Sequence, residues 1–176
     1  MKAIPLDIPE VMIIEPEVFH DDRGLFYESY NQNKFSEIIG RQINFVQDNR
    51  SKSIKGVIRG LHYQLEPFSQ AKLISVIKGE IFDVALDIRD QSKTRGQWIA
   101  KILSDKNRQQ LWIPEGFAHG FLALSDEAEV FYKTTKFYES NSERGINPFD
   151  KTIGIEWPKF KSYIVNDRDK NFPSLD

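Results

Sequence analysis

Short runs of apolar residues, either continuous or alternating with polar ones, cover most of this chain and are separated by turn residues. Such runs predict β-strands at Val11–Glu15, Leu25–Tyr30, Val57–Tyr63, Lys72–Ile77, Ile81–Ile88, Trp98–Leu103, Gln110–Ile113, Phe121–Leu124 and Ala128–Tyr138. Tight-turn sequences lie between them, among them Asp22-Arg23-Gly24 and Lys78-Gly79-Glu80. Many short strands joined by tight turns predict an all-β protein, either an antiparallel sandwich or a jelly-roll barrel.

One short helix interrupts this pattern. Asn31 or Asn33 can cap a helix over Lys34–Ile39, and Gly40 follows where a left-handed C-terminal residue is needed. The sequence contains no repeat, no low-complexity tract and no flexible linker. We therefore expect one domain over residues 1–176, with the tail from Gly154 wrapped on the surface of the barrel.

Two of the predicted strands carry polar residues on a face that is otherwise apolar. Because side chains alternate along a strand, Lys72 shares a face with Ile74 and Val76, and Tyr132 shares a face with Val130. If these faces point inward, an amine and a phenol line the interior of the barrel. Alternatively, Lys72 lies at a strand end and extends to water, and Tyr132 is an ordinary core residue.

Composition and charge exclude several functional classes. The 176 residues are 40% hydrophobic and 28% charged, which is typical of a globular protein, and 24 basic against 26 acidic residues give a net charge of -2. This balance argues against a nucleic-acid-binding protein. The absence of cysteine excludes disulfides, thiol nucleophiles, zinc fingers and iron–sulfur sites. Without a long apolar run or the apolar core of a signal peptide, we expect a cytoplasmic protein with no membrane contact.

The three histidines are His20, His62 and His119. His119 ends a PxGxxH pattern that begins at Pro114 and resembles the second motif of the cupin superfamily of jelly rolls. Metal-binding cupins carry an HxH pair in their first motif, but here the corresponding segment reads His62-Tyr63-Gln64. Two histidines without a third ligand bind a metal poorly, so we expect no metal. His20 lies beside two aspartates in a predicted turn, where we expect it to be solvated.

The remaining polar residues suggest proton transfer at a carbon atom. A neutral imidazole such as that of His62 can remove a proton from a carbon next to a ketone. Lys72 could stabilise the resulting enolate oxygen, and Tyr132 could return a proton to the opposite face, which would invert the stereocentre. Alternatively, these are unrelated strand residues that share no cavity.

Strand alternation adds a condition on this hypothesis. Arg59 and His62 are three residues apart, so a regular strand would point them to opposite faces. For both to line one cavity, a bulge or bend near Gly60 must reset the alternation.

The chain resembles the nucleotide-sugar 3,5-epimerases, from about Phe19 to Leu175. Segments that carry this resemblance in order along the chain are Phe19–Phe26, Gln47-Asp48-Asn49, Gly56–Gln64, Gln70-Ala71-Lys72, Gly79–Arg89, Ile113–Phe121 and Tyr132-Lys133. This resemblance implies an antiparallel jelly-roll (cupin) barrel with short helices and a C-terminal wrapping segment. It also implies a homodimer that works without a metal or organic cofactor.

The resemblance further implies the reaction and its catalytic groups. The substrate would be a dTDP-4-keto-6-deoxyhexose, dTDP-4-dehydro-6-deoxy-D-glucose, which is converted to dTDP-4-dehydro-L-rhamnose by inversion at C3 and C5. His62 corresponds to the base and Asp169 to the carboxylate that orients it. Tyr132 corresponds to the general acid, and Lys72 to the residue beside the ketone oxygen.

Substrate-binding positions are implied in the same way. Those within one chain are Gln47, Asp48, Asn49, Arg59, His119, Tyr138, Glu143 and Arg168. Residues 1–30 would form an N-terminal arm that reaches the site of the dimer partner, with Phe19, Arg23 and Glu28 as its binding residues. Arginine forks suit diphosphate oxygens, and an aromatic ring such as that of Phe19 or Tyr138 can stack on thymine. The loop from Gly145 to Asp150 departs from the sequence common in the family.

Two other functions remain open on the sequence alone. One is a mono-epimerase that inverts only C3 or C5 of another dTDP-4-keto-deoxysugar. The other is a non-catalytic cupin that binds a nucleotide sugar without changing it.

Overall fold

The computed structural model describes residues 1–175 of the chain. Its strands and helices, in chain order, are β1 (Lys2–Pro5), β2 (Met12–Glu15), β3 (Val18–Asp21), β4 (Gly24–Tyr27), α1 (Gln32–Ile39), β5 (Gln47–Ile54), β6 (Ile58–Gln64), β7 (Lys72–Lys78), β8 (Glu80–Asp87), β9 (Trp98–Ser104), β10 (Gln110–Ile113), β11 (Phe117–Ala123), β12 (Glu127–Thr134), β13 (Glu143–Gly145) and α2 (Asp167–Lys170).

These strands form two facing antiparallel sheets and one separate hairpin. One sheet has the order β1-β2-β10-β7-β12-β5, and the other has the order β13-β6-β11-β8-β9. In the described part of the chain, strands β3 and β4 pair only with each other. The main apolar core lies between the two large sheets, where Ile74 and Val130 of the first meet Ile81 and Phe121 of the second. This architecture confirms the predicted all-β jelly roll.

Two further apolar clusters cover the outer faces of the sheets. Helix α1 places Phe35 against Trp112 of the six-stranded sheet, with ring centroids 5.3 Å apart. The C-terminal segment packs Trp157 and Val165 against the five-stranded sheet, and Ile164 forms a parallel bridge with Val57. The segment after Gly154 therefore wraps the barrel, as predicted from the sequence.

The predicted helix and its caps are also correct. Asn31, rather than Asn33, is the N-cap residue, and its side chain accepts hydrogen bonds from the Asn33 and Lys34 amides. Gly40 adopts φ 79° at the C-terminus and donates to the Ser36 and Glu37 carbonyls. No helix within residues 1–175 has the length and apolar character needed to cross a membrane.

Several strand boundaries differ from those predicted. Strand β5 was not predicted at all, because its sequence Gln47–Ile54 is almost entirely polar. Strand β11 begins at Phe117, before the predicted Phe121, and β12 ends at Thr134, before the predicted Tyr138. The prediction also lacks the short strands β1, β3 and β13 and helix α2, each of four residues or fewer.

Candidate active site

A cavity of about 270 Å³ lies between the two large sheets and is lined by residues of both. Strands β5, β6, β7, β11 and β12 each contribute side chains to its wall. It brings together the following residues predicted from the sequence: Gln47, Asn49, Arg59, His62, Lys72, His119, Tyr132, Tyr138 and Glu143. An amine, a phenol and two imidazoles therefore face a single space.

His62 is held by a carboxylate from the C-terminal segment. Its Nε2 lies 2.9 Å from Oδ1 of Asp169, which is 1% exposed, and Oδ2 of Asp169 accepts from the Gly60 amide at 2.9 Å. Burial acts to raise the pKa of Asp169, but the hydrogen bonds from His62 and Gly60 outweigh it and lower the pKa. Because an ionised carboxylate only accepts hydrogen bonds, Nε2 of the neutral imidazole carries the proton and Nδ1 is the basic nitrogen.

Strand β6 contains the irregularity that the sequence requires. His62 pairs with His119 of β11, and Arg59 pairs with Phe121, so three steps along β6 match two along β11. Gly60 lies in this bulge with φ 113°. Because of the extra residue, the side chains of Arg59 and His62 point to the same face of the sheet, and both line the cavity, as the hypothesis requires.

Lys72 is the buried cation of the site. Its side chain shares the inward face of β7 with Ile74 and Val76 and is 7% exposed in total, so the predicted alternative of a lysine extending to water is wrong. Burial lowers the pKa of Lys72 to about 8, while the charges of Asp83 and Glu143 limit the decrease. Its Nζ donates to the His62 carbonyl at 3.3 Å.

Tyr132 lies on the neighbouring strand, β12, with its ring partly packed against the core. It pairs with Ile74 of β7 on one side and with Asn49 of β5 on the other. Burial raises the pKa of the Tyr132 phenol, so the hydroxyl keeps its proton at neutral pH.

A second imidazole, that of His119, is bound to a carboxylate that the sequence reasoning did not select. Its Nε2 lies 2.8 Å from Oδ1 of Asp83, which is 0% exposed on β8. Burial lowers the pKa of His119, although Asp83 opposes the decrease. A carboxylate within the apolar strand Ile81–Ile88 was the available signal, since a buried charge requires a partner.

Polar side chains of β5 and β6 form the outer wall of the cavity. The Arg59 guanidinium donates through Nε to Ser53 Oγ at 2.9 Å and through Nη2 to the Lys52 carbonyl at 3.0 Å. Gln47 donates to Asn49 at 2.9 Å. Arg59 remains exposed, so its fixed guanidinium is accessible to an anionic ligand.

Tyr138 and Glu143 line the rim of the cavity, and Arg168 binds Glu143 beside it. The Tyr138 hydroxyl donates to Glu143 Oε2 at 2.7 Å, and Arg168 pairs with the same carboxylate oxygen at 2.5 Å. The hydrogen bond to Glu143 raises the pKa of Tyr138, and a bond to the same carboxylate raises that of Arg168. These three side chains connect the tail, which carries Asp169, to the mouth of the cavity.

Five residues predicted to bind substrate do not line this cavity: Arg168, which contacts it only through Glu143, and four others. Asp48 points away because it alternates with Gln47 and Asn49 on β5, and it pairs instead with Lys133 at 2.8 Å. Phe19 and Arg23 lie on the β3–β4 hairpin, where Phe19 is 55% exposed and Arg23 pairs with Asp21. Glu28, just after the hairpin, accepts from Lys34 at 3.0 Å.

The cavity also contains residues that sequence reasoning missed: Ser51, Tyr63, Gln64, Gln70 and Phe121. Gln64 stands where a metal-binding cupin carries its second histidine, and its amide is fully engaged by backbone groups. It donates to the Phe68 and Phe137 carbonyls and accepts from the Glu139 amide. Within residues 1–175, no three His, Asp or Glu side chains lie close enough together to bind a metal ion.

Comparisons with known proteins agree with this geometry. A model of the dTDP-4-dehydrorhamnose 3,5-epimerase family matches residues 5–176. The chain is 57% identical over 171 residues to the dTDP-4-dehydrorhamnose 3,5-epimerase of Shigella flexneri, covering 97% of this chain and 94% of that protein. It is 50% identical over 176 residues to the enzyme of the same name from Escherichia coli K12, covering 100% of this chain and 95% of that protein.

A solved structure extends the likeness to three dimensions. The dTDP-6-deoxy-D-glucose-3,5-epimerase of Legionella pneumophila, in complex with dTDP-4-keto-L-rhamnose, superposes with a TM-score of 0.95 at 46% identity. The match covers 99% of this chain and 92% of that one. Together with the family match, this likeness confirms the resemblance seen in the sequence motifs: the chain belongs to the dTDP-4-dehydrorhamnose 3,5-epimerase family.

Proposed function

We propose that this single domain performs the 3,5-epimerisation of its family with His62 as base, Lys72 as oxyanion-stabilising cation and Tyr132 as acid. Membership of the family makes the protein an isomerase that converts dTDP-4-dehydro-6-deoxy-D-glucose to dTDP-4-dehydro-L-rhamnose. The observation that carries the assignment of roles is that all three groups line one cavity. Burial also raises the pKa of Tyr132, which keeps the acid protonated, and lowers the pKa of Lys72 only to about 8, which leaves the amine mostly charged near neutral pH.

The reaction begins with proton removal at C5, next to the C4 ketone. Nδ1 of His62 takes the proton, and the electrons of the C–H bond form the enolate, whose negative oxygen lies beside the Lys72 ammonium. Asp169 keeps the imidazole in the required tautomer and stabilises the imidazolium that forms. The Tyr132 hydroxyl then donates its proton to the opposite face of C5. After His62 and Tyr132 have exchanged protons with solvent, the same steps invert C3.

The remaining cavity residues hold the nucleotide in place. Arg59 presents a fixed guanidinium to the diphosphate, which suits bidentate recognition of phosphate oxygens. Gln47, Asn49 and His119 offer polar contacts to the sugar and phosphates. The exposed ring of Tyr138 at the rim provides a surface on which the thymine can stack, and Arg168 and Glu143 hold that ring in place.

We also infer that the active form is a homodimer in which the N-terminal arms are exchanged. Within residues 1–175, the β3–β4 hairpin makes no strand pairing with other strands. Phe19, Leu25 and Phe26 are 55%, 43% and 70% exposed. Strand β5, which lines the cavity, is a sheet edge with one unpaired side. A partner's hairpin placed beside this edge would bury its apolar residues and bring its Phe19, Arg23 and Glu28 equivalents to the substrate.

Incubation with dTDP-4-keto-6-deoxyglucose in deuterated buffer, followed by NMR of the sugar, tests the assignment of roles. The wild-type protein is expected to replace hydrogen by deuterium at C3 and C5 with inversion at both centres. His62→Ala should abolish exchange at both carbons, because no second base is assigned. Exchange at wild-type rates in His62→Ala would contradict the base assignment, and nucleotide-sugar binding without any exchange in the wild type would indicate a non-catalytic protein.

Tyr132→Phe separates the acid from the base in the same experiment. It removes one hydroxyl and keeps the ring, so His62 and Lys72 can still form the enolate. We expect exchange at the first carbon to continue while net inversion is lost. Inversion at the wild-type rate would contradict the role of Tyr132.

A further inference from the structure

The cross-strand neighbour of the proposed base is a glycine. Gly145 of β13 pairs directly with His62 of β6, and paired residues in an antiparallel sheet point their side chains to the same face. Because Gly145 has no side chain, the backbone leaves room beside the imidazole for a group from elsewhere in the chain. A Cβ at Gly145 would lie 2.2 Å from the ring of Phe172, so that ring occupies the space.

Phe172 reaches this space from the same short segment that supplies Asp169. Its ring centroid lies 5.6 Å from that of His62, and the two ring planes are inclined at 85°, which is an edge-to-face contact. The Arg168 guanidinium lies 5.5 Å from the Phe172 centroid. One segment thus contacts the imidazole in two ways, through a hydrogen bond at Nε2 and through packing against the ring.

We propose that Phe172 is a positioning residue that fixes the plane of the His62 imidazole for proton transfer. The hydrogen bond to Asp169 holds one nitrogen but does not by itself prevent the ring from rocking about its Cβ–Cγ bond, a torsion that is intrinsically soft in histidine. The edge-to-face contact in the space left by Gly145 opposes this motion. The inference rests on the role of His62 as base, and it assigns a function to the tail beyond Asp169.

The expected effect is on the chemical step. A misplaced base lowers the rate of proton transfer. Nucleotide binding should change little, because Tyr138 and Arg168 both stay bound to Glu143 without Phe172. We expect Phe172→Ala to lower kcat by about 10- to 100-fold with KM within about threefold of wild type. Phe172→Tyr keeps the ring edge and should retain most of the activity.

Gly145→Ala provides an independent way to displace the ring. The added methyl group would contact three carbon atoms of Phe172 at 2.2 to 2.4 Å, so the ring must leave its place while its own residue is unchanged. It should therefore reproduce the loss of kcat seen in Phe172→Ala. Phe149→Ala is the matched control, because that ring packs 5.6 Å from Tyr163 and not against His62; it should retain wild-type kcat.

A measurement without substrate distinguishes this proposal from the role of His62 in the reaction. In ¹⁵N and ¹H NMR spectra of the protein, the wild-type His62 ring should show the shifts of a fixed Nε2–H tautomer, which Asp169 sets. Phe172→Ala should keep that tautomer but shift and broaden the His62 ring signals, because the ring loses the edge-to-face contact and rocks. Unchanged His62 shifts in both Phe172→Ala and Gly145→Ala, or wild-type kcat in both, would overturn the proposal. If His62→Ala keeps its exchange activity while the His62 ring signals change in Phe172→Ala and Gly145→Ala, the base assignment is wrong but Phe172 still positions the imidazole.

Discussion

Burial sets the charge of the individual groups in the active site. Desolvation lowers the pKa of Lys72 to about 8 and raises the pKa of Tyr132, so near neutral pH the amine is mostly charged and the phenol is neutral. An enolate-forming reaction needs both of these states, since the cation attracts the developing oxyanion and the phenol supplies a proton. The low dielectric of the cavity that causes the shifts also strengthens the attraction between Lys72 and the enolate.

The shifted pKa of Lys72 predicts an alkaline limit on activity. Below pH 8 the ammonium is present, and above it the neutral amine cannot stabilise the enolate, so kcat/KM should fall about tenfold per pH unit. Lys72→Arg keeps a charge at every accessible pH, so whatever activity remains should show no fall near pH 8. Exchange rates measured from pH 6 to 10 check this prediction. An unchanged alkaline limb in Lys72→Arg would assign it to another group.

At the level of the strands, the apolar pattern revealed the core but not the polar wall of the cavity. Strands such as β7 and β8 could be predicted because their apolar residues are buried in the core, mainly on one face of β7 and on both faces of β8. Strand β5 has no such face: its inward row from Gln47 to Ser51 lines the polar cavity, and its outward row makes ion pairs with β12. A strand that is polar on both faces carries no periodic hydrophobic signal.

Some parts of the site could be predicted from the sequence for a physical reason. The shared inward face of Lys72 and Ile74 follows from strand alternation alone, and the three-residue spacing of Arg59 and His62 required the irregularity at Gly60. The contact between Asp169 and His62 joins residues 107 positions apart, and only the family resemblance predicts it. Neither pattern nor resemblance indicated that Phe172 packs on His62.

The bulge in β6 predicts a large effect from a small substitution. At Gly60 a Cβ would lie 2.7 Å from the backbone of both His119 and Gly120, in addition to the strain of φ 113°. We expect Gly60→Ala to lower stability by more than about 2 kcal/mol and to lower activity, because Arg59 and His62 flank it. Gly40→Ala is the control, since φ is 79° there with no atom within 4 Å of the added methyl; it should cost about 1 kcal/mol. Equal losses in thermal unfolding of both variants would contradict the role of the close approach.

At the scale of the whole molecule, one chain supplies the catalytic groups and leaves an apolar hairpin uncovered. The exposed rings of Phe19 and Phe26 would lose contact with water if a second copy received them. Each cavity in such a dimer would contain His62 of one subunit and the hairpin of the other. Complementation between inactive variants can detect this arrangement.

Mixing two defective proteins should restore activity if the arms are exchanged. Arg23→Ala and His62→Ala are each expected to be nearly inactive as homodimers. In a mixed dimer, one cavity combines an intact His62 with an intact Arg23, so a random equal mixture should regain about a quarter of the wild-type activity. Differently tagged subunits would verify that mixed dimers form. Mixed dimers without recovered activity would contradict the exchange of arms.

The open edge of β5 also bears on how the protein stays dispersed. A lone chain would offer a row of free amide and carbonyl groups to any extended peptide, which is how edge strands begin to aggregate. However, its outward row carries one negative charge, Asp48, and two positive charges, Arg50 and Lys52. Each of them already forms an ion pair with an oppositely charged side chain of β12. An extended peptide that placed apolar side chains against this outward row would have to desolvate those ion pairs. The strand that forms the wall of the cavity thus also protects a newly made chain against nonspecific edge-to-edge aggregation before it dimerises.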